Sequence, residues 1–338
     1  MRQAVMTKPG SIEVRSAVDP KPGRGEVLLR VRRIGVCGSD VHVWHGRHPF
    51  TPYPVVQGHE FSGVVEVVGE GVTGIRPGMK ATATPQIVCG ECKPCRRGDY
   101  NICDHLKVQG FQAPGVAGDY FVTSAEKAVP LPEGFTFEQG AIVEPAAVAV
   151  HSTGRAGDLK GANAVVVGAG PIGNLMAQAA QARGAAVLIT DISDYRLDVA
   201  RSCGLERVSN ARTEPLTAAS QRVFGKQGFS VAFECVGSES ALASAVAAIE
   251  KGGRVMIVGV FGEKPRVDMS VAGDRELSLV GSLMYRKPDY EQAVRWIAEG
   301  ALRTEPLFSK HFAFGQYAEA YRFIDAQADR SMKVFIDL

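Results

Sequence analysis

The apolar positions change rhythm along the chain. From Met1 to about Ala147 they come in short runs alternating with polar residues, Glu26 to Arg32 and Gly63 to Val68 among them, broken repeatedly by Gly and Pro. Alternation of period two puts every second side chain on one face, so these runs predict half-buried strands of a β-rich domain. From about Gly161 the pattern becomes apolar β-branched runs separated by Ala-rich stretches: Ala164 to Val167, Pro171 to Arg183, Ala186 to Thr190 and Tyr195 to Ser202. Strand and helix in that order predict the βαβ units of a doubly wound parallel sheet, an α/β domain. Further buried strands are predicted at Val231 to Glu234, Arg254 to Val258 and Leu277 to Val280, with a helix from about Glu239 to Glu250. From about Pro288 the spacing predicts two amphipathic helices, Asp289 to Glu299 and Gln316 to Ala326, and an apolar end at Lys333 to Leu338.

A length of 338 residues agrees with two domains, each able to bury its own core. The net charge of +2 lacks the basic excess that advertises binding to a phosphate backbone, so no nucleic-acid partner is expected. No run approaches the roughly 18 apolar residues of a membrane span, and Met1 to Gly10 contains no uninterrupted apolar stretch before Lys8 and Pro9. A cytoplasmic protein with no membrane partner is expected.

The cysteines add chemistry. Of the seven, Cys89, Cys92, Cys95 and Cys103 fall within one short segment, while Cys37, Cys203 and Cys235 are scattered. Thiolates are soft anionic ligands suited to tetrahedral zinc, and two-residue gaps let successive sulfurs wrap one ion from a single loop. Disulfides are the other reading, which the absence of a secretory segment disfavours. Four sulfurs would saturate a tetrahedral ion, so this zinc should be structural and should stabilise a lobe near Lys93 to His105.

A second signal sits where the texture changes. The strand ending at Val167 runs into Gly168-Ala169-Gly170-Pro171-Ile172-Gly173 and then a helix. The first glycine permits a tight turn, the second lets backbone approach a pyrophosphate, and the third lets helix and strand pack closely, with phosphates at the positive helix end. Pro171 suits the first helical turn. The next strand ends at Asp191, about 20 residues on, where a carboxylate can accept hydrogen bonds from ribose hydroxyls and would repel a 2′-phosphate. NAD is therefore expected over NADP, with Arg196 the nearby cation that could blur the preference. Asp191 could instead cap the following helix, a role equally open to Ser193 or Asp194.

The β-rich half contains Cys37-Gly38-Ser39-Asp40-Val41-His42, then Gly58-His59-Glu60, then Glu144-Pro145. With the four-cysteine lobe and the dinucleotide turn, these segments make the chain resemble the zinc-dependent medium-chain dehydrogenase/reductase family, in particular its polyol (sorbitol/L-iditol, galactitol) dehydrogenases, over essentially its whole length. The resemblance implies a GroES-like catalytic domain at 1–150 and 287–338 and a Rossmann NAD-binding domain at 151–286. It implies two zincs per chain. Cys37 and His59 would hold the catalytic one, with a carboxylate from Glu60 or Glu144 and one position left open. Asp40 would orient His59. Ser39 would relay the alcohol proton towards His42, with Glu144 acting through water as the competing base.

The activity so implied is oxidation of a secondary hydroxyl of a polyol to a ketone, with hydride passed to NAD. Relatives acting on simple alcohols usually carry cysteine where this chain has Glu144, which favours a polar substrate. An aromatic residue commonly follows the histidine of sorbitol dehydrogenases, whereas Val43 follows His42 here, which argues against sorbitol itself. Tyr285 and Arg286 lie where the family places substrate-hydroxyl contacts, and Arg47, Gln57 and Phe111 are further candidates for the pocket. Dehydrogenases of sugar acids such as idonate or galactonate, and L-threonine 3-dehydrogenase, share most of these motifs. Two other readings compete. A zinc-ribbon nucleic-acid binder would use Lys93, Arg96 and Arg97 but leaves the glycine turn unused, and a zinc-independent quinone reductase would favour NADPH, against Asp191. The family resemblance also implies a homodimer or homotetramer.

Overall fold

The computed structural model describes residues 1–338, which fold into two compact units. The first comprises Met1–Glu144, Arg286–Ala298 and Phe308–Leu338; the second comprises Pro145–Tyr285 and Glu299–Leu307. No helix is long and apolar enough to cross a membrane.

The first unit is built on a seven-stranded sheet. Phe308–Ala313, Lys333–Asp337, Glu26–Val36, Glu60–Val68, Lys80–Ala83 and Ala128–Pro130 lie in that order, and Tyr120–Ser124 also pairs with Glu26–Val36. The predicted strand from Glu26 extends to Val36, because Ile34 and Val36 continue the buried apolar set that includes Leu29 and Val31. That extension delivers Cys37 to the start of the helix Gly38–Trp44. Phe61 and Val65 face the same core, closed by Tyr317 and Tyr321 of the helix Tyr317–Gln327.

The second unit carries a six-stranded sheet in the order Val208–Asn210, Ala186–Asp191, Asn163–Val167, Val231–Glu234, Arg254–Ile257 and Ser278–Gly281. Every adjacent pair is parallel. The chain starts at Asn163–Val167, winds one way through two strands, then returns to the other side at Val231–Glu234. The sheet therefore reverses direction at the carboxyl end of Asn163–Val167, the crevice where open α/β sheets bind ligands.

Several elements were not anticipated, and three of them have a plain reason. Phe137–Arg155 is a helix of 19 residues with Pro145 inside it, and a proline missing its N–H and crowding the preceding turn is read from sequence as a break. The strand Val208–Asn210 is three residues long with only Ser209 buried. The helix Leu216–Phe224 has only nine residues in which to display a helical period. The division into units also departs from the expected 1–150 with 287–338 against 151–286. Residues Pro145–Val150 and Glu299–Leu307 belong to the second unit. The latter segment is anchored there by buried Leu302 and Leu307 and by a reciprocal pair, Arg303 N–H to Gln178 Oε1 at 2.6 Å and Gln178 Nε2 to the Arg303 carbonyl at 3.2 Å.

Candidate metal centres and dinucleotide turn

Cys37 occupies the N-cap of Gly38–Trp44, and its backbone N–H donates to Asp40 Oδ2 at 3.0 Å. This ties Asp40 to the ligand loop. Ser39 Oγ donates to Cys37 Sγ at 3.0 Å. His59 arrives from the other side. It follows Gly58, whose φ of +90° excludes most side chains and whose carbonyl accepts from Val116 N–H at 3.0 Å. Phe111 packs against the His59 ring at a centroid distance of 5.0 Å.

The ligand atoms of Cys37, His59 and Glu60 all lie within 4.8 Å of one another. His59 Nδ1 is buried with no hydrogen-bond partner, and Asp40 Oδ1 stands 3.6 Å away, beyond hydrogen-bond length. Burial alone would keep the ring neutral, but the Asp40 carboxylate overrides it and holds the His59 pKa well above the ordinary histidine value. A thiol, an imidazole and a carboxylate whose ligand atoms lie this close together fit a divalent metal of zinc's ligand preference. Glu144 is buried but is not among the three converging groups. It acts electrostatically on Tyr290 and Lys333, which places it near the same pocket.

Asp40 is held from behind. Gln57 Nε2 donates to Asp40 Oδ1 at 3.4 Å, and Gln57 Oε1 accepts the Tyr321 hydroxyl at 2.9 Å. Gln57 is therefore a support of the ligand loop. His42 lies three residues along the helix from Ser39, on the same face, and burial, with His45 and Arg47 nearby, lowers its pKa. His48 stacks on Phe111 at 4.8 Å, with its Nδ1 2.7 Å from Thr51 Oγ1. Sequence reading missed His48, Tyr321 and Lys333. Lys333 carried one usable signal, a cation beside the buried apolar run Val334, Phe335 and Ile336.

The second centre is the cysteine lobe. Sγ–Sγ separations are 4.0 Å for Cys89–Cys95, 3.8 Å for Cys92–Cys103 and 3.5 Å for Cys103–Cys89. Sulfurs about 2.3 Å from a tetrahedral zinc would be about 3.8 Å apart. Backbone N–H groups of Cys92 and His105 donate to Cys89 Sγ and Cys103 Sγ, each at 3.3 Å. Burial raises the Cys92 thiol, but hydrogen bonds from the Cys95 and Asp104 backbones outweigh it and bring its pKa down to about 7. These observations fit a saturated structural metal. The lobe is also attached to the return of the chain into this unit: Lys287 N–H donates to Tyr100 OH at 2.5 Å, and Arg286 Nη1 lies 3.6 Å from Asp99 Oδ1. Arg286, expected at the substrate, has its ion-pair partners at Asp99 and Asp289, and Tyr285 is fully buried in the second unit.

In the second unit each glycine of the turn has a separate reason. Gly168 has φ +102°. A Cβ at Gly173 would stand 1.8 Å from the Gly168 carbonyl oxygen, whereas one at Gly170 would meet no protein atom. Nothing inside the protein demands glycine at 170, so the space there fits an incoming phosphate at the start of the helix Pro171–Ala182. Asn174, unremarked in the sequence, locks the turn by donating to the Ala169 carbonyl at 2.6 Å. Asp191 is not the cap of the next helix; Ser193 is, accepting from Arg196 N–H. Both Asp191 oxygens accept backbone N–H groups, from Ala169 at 2.6 Å and Ser193 at 2.9 Å, and Arg196 Nη1 stands 4.0 Å from Oδ2.

The chain was compared with known proteins as a whole. Residues 23–133 match the alcohol dehydrogenase GroES-like domain and residues 171–299 match the zinc-binding dehydrogenase model. The chain is 34% identical over 317 residues to the 2-dehydro-3-deoxy-L-galactonate 5-dehydrogenase of Pseudoalteromonas atlantica, covering 94% of this chain and 92% of the relative. It is 32% identical to the sorbitol dehydrogenase of Halalkalibacterium halodurans, with 99% of each covered, and 34% identical to the L-threonine 3-dehydrogenase of Deinococcus radiodurans, with 94% and 92% covered. Among solved structures, the alcohol dehydrogenase RspB of Escherichia coli, complexed with NADH, superposes with a TM-score of 0.91 at 29% identity over 100% of this chain and 99% of its own. A zinc-binding dehydrogenase of Sinorhizobium meliloti bound to NADP gives 0.90 at 27% identity, with 100% and 99% covered.

Proposed function

The chain belongs to the zinc-dependent medium-chain dehydrogenase/reductase family, as an oxidoreductase acting on CH–OH groups, and we propose that it oxidises a secondary hydroxyl of a polyol to a ketone. Zinc, when bound, supplies Lewis acidity to the substrate oxygen, and the nicotinamide cofactor supplies the hydride acceptor. Cys37 and His59 hold the metal, Asp40 orients His59, and Cys89, Cys92, Cys95 and Cys103 hold a second, structural ion. Ser39 accepts the substrate's hydroxyl proton and passes it towards His42, whose lowered pKa suits release of that proton to solvent. Gly168, Gly170, Pro171, Ile172 and Gly173 receive the pyrophosphate. Asp191 prefers the free ribose hydroxyls of NAD to a 2′-phosphate, with Arg196 as the counterweight.

The observation that carries the substrate class is the buried carboxylate of Glu144, 6% exposed, which acts electrostatically on Lys333, the ion-pair partner of Glu60. Carboxylates accept hydrogen bonds from neighbouring hydroxyls, which a hydrocarbon alcohol cannot offer. Similarity to dehydrogenases named for sorbitol, a sugar acid and threonine supports a small polar substrate. A sugar acid is the second reading. Arg47 stands close enough to His42 to disfavour its protonation, and is a cation that a substrate carboxylate could meet. Arg286 could serve a substrate only by leaving Asp99. The same reading makes the protein a cytoplasmic homodimer or homotetramer.

A panel of polyols, aldonates and L-threonine, followed through NADH absorbance in both directions, tests this. Turnover of a polyol with NAD well above that of aldonates and threonine is expected; preference for aldonates would move the assignment to the second reading.

A further inference from the structure

Two successive peptide planes of the glycine turn are gripped by side chains. In the Gly168–Ala169 peptide the N–H donates to Asp191 Oδ2 at 2.6 Å. A trans peptide points its carbonyl opposite to its N–H, and the Gly168 oxygen accordingly lies against Gly173, where a Cβ would stand 1.8 Å from it. In the Ala169–Gly170 peptide the carbonyl accepts from Asn174 Nδ2 at 2.6 Å. The same Nδ2 lies 3.3 Å from the Gly170 carbonyl, which also accepts the Asn174 backbone N–H at 2.9 Å. Two carbonyl oxygens face one end of the side-chain amide, so that end is the nitrogen. Asn174 is fully buried beside Leu175, Met176 and Ala177, and its Oδ1 has no hydrogen-bond partner. An acceptor buried in that way costs stability, which an apolar side chain at the same helix position would not. Stability alone therefore gives no reason for asparagine here.

The reason lies on the other side of the peptide. With the Ala169 carbonyl held by Asn174, the Gly170 N–H of the same plane points the opposite way. It makes no hydrogen bond within the protein, and a Cβ on Gly170 would meet no protein atom. Pro171, next along, has no N–H to offer, so the Gly170 N–H is a donor the turn cannot easily replace. We propose that Asn174 is a positioning residue for the cofactor, locking the Ala169–Gly170 peptide so that the Gly170 N–H is presented to a pyrophosphate oxygen before the dinucleotide arrives. The inference rests on the dinucleotide reading of the turn. Without the side-chain donor the peptide is free to rotate, and a carbonyl turned outwards would repel the phosphate that the N–H attracts. A peptide already in the bound orientation spares the dinucleotide the cost of ordering it.

The test reads binding to the whole protein rather than turnover: NADH by fluorescence titration, and ADP-ribose and adenosine by competition against it. ADP-ribose carries the pyrophosphate, whereas adenosine offers its ribose hydroxyls without one. A parent that bound neither NADH nor ADP-ribose would overturn the dinucleotide reading and this proposal with it; in a parent that binds both, the variants bear on Asn174 alone. Asn174→Leu, which keeps the volume and removes the donor, should weaken NADH and ADP-ribose about tenfold and leave adenosine within about twofold of the parent. Asn174→Ala removes the donor without asking the core to accept leucine, and the same split is expected. A merely structural role would weaken adenosine as much as ADP-ribose, since both depend on the same fold. A third measurement needs no folded Asn174 variant. In the parent labelled with 15N-glycine, the Gly170 amide resonance, assigned by its loss in Gly170→Ala, should move on addition of ADP-ribose and stay in place with adenosine. Equal losses for the two ligands, undiminished ADP-ribose affinity in the variants, or a Gly170 resonance unmoved by ADP-ribose would each overturn the proposal.

Discussion

Asp191 Oδ2 accepts the backbone N–H of Ala169 at 2.6 Å, so the residue expected to read the ribose also holds the glycine turn beside the pyrophosphate. The two duties separate by substitution. Asp191→Asn keeps an acceptor for Ala169, removes the charge and sets an amide NH2 against the Ser193 N–H; the ratio of kcat/KM for NAD to that for NADP should fall roughly tenfold, about 1.4 kcal/mol of discrimination, with a smaller loss of Tm than in Asp191→Ala. Asp191→Ala should lose the same discrimination and also Tm, because the Ala169 and Ser193 N–H groups are left without their acceptor. An unchanged cofactor ratio in both variants would mean that another group reads the ribose.

Cys37→Ser should reduce turnover at least about a thousandfold, since the loss of a thiolate ligand removes the metal that polarises the substrate. NADH binding, measured by fluorescence titration, should be unaffected because the glycine turn lies in the other unit. Retained turnover with full metal content would sink the catalytic assignment of Cys37.

Cys92→Ala should cost one of two metals and lower Tm, while turnover per remaining catalytic metal stays within about threefold of the parent. The lobe is tied to Lys287 and Arg286 rather than to the residues around Cys37, which is why stability is expected to suffer before chemistry. A stable variant whose turnover alone collapsed would mean that the roles of the two metals are reversed.

Ser39→Ala should lower kcat on the order of a hundredfold by removing the proton's first acceptor. His42→Asn should cost less, about tenfold, and the loss should be partly restored by a small imidazole buffer, because the proposed route ends at His42. Absence of any buffer rescue would remove His42 from the proton path.

Glu214 gives a pH prediction for stability. Its hydrogen bonds from Arg222 and Ser209 hold its pKa down to about 2, against an ordinary value of 4.5. A carboxylate depressed in the folded state binds fewer protons there than in the unfolded chain, so its contribution is complete above 4.5 and disappears as pH falls towards 2. The pair is solvent-accessible, which limits the effect to at most about 1 kcal/mol. Glu214→Gln should therefore lower Tm slightly at neutral pH, and the gap to the parent should narrow steadily below pH 4.5. A gap of constant size across that range would exclude the ion pair as its cause.

Much of both sites was legible in the chain because their chemistry is encoded locally. Cys37 with Asp40, His59 with Glu60, and the four clustered cysteines each derive meaning from residue type and spacing over a few positions. So does the turn from Gly168 to Gly173, where the need for glycine at 168 and 173 is a matter of backbone sterics that no distant residue alters. The strands from Asn163 to Asp191 were equally plain, since a parallel sheet buried on both faces writes continuous apolar runs.

What escaped is non-local. Lys333 meets Glu60 across 273 positions of sequence, and Tyr321 meets Gln57 across 264. No periodicity records such pairings, because they exist only once elements from opposite ends of the chain are folded together. The helix through Pro145 persists because Ala141, Ile142, Ala146 and Ala147, on both sides of the proline, are fully buried, and that packing outweighs a local preference that reads as a break. The sequence by itself determined the candidate ligand types, the glycine turn and the two folds, since each follows from short-range chemistry. The tertiary structure alone decided what holds those ligands, that Glu60 faces an ammonium and that Arg286 faces Asp99, since the partner of a buried charge is chosen by which strands and loops the fold brings together.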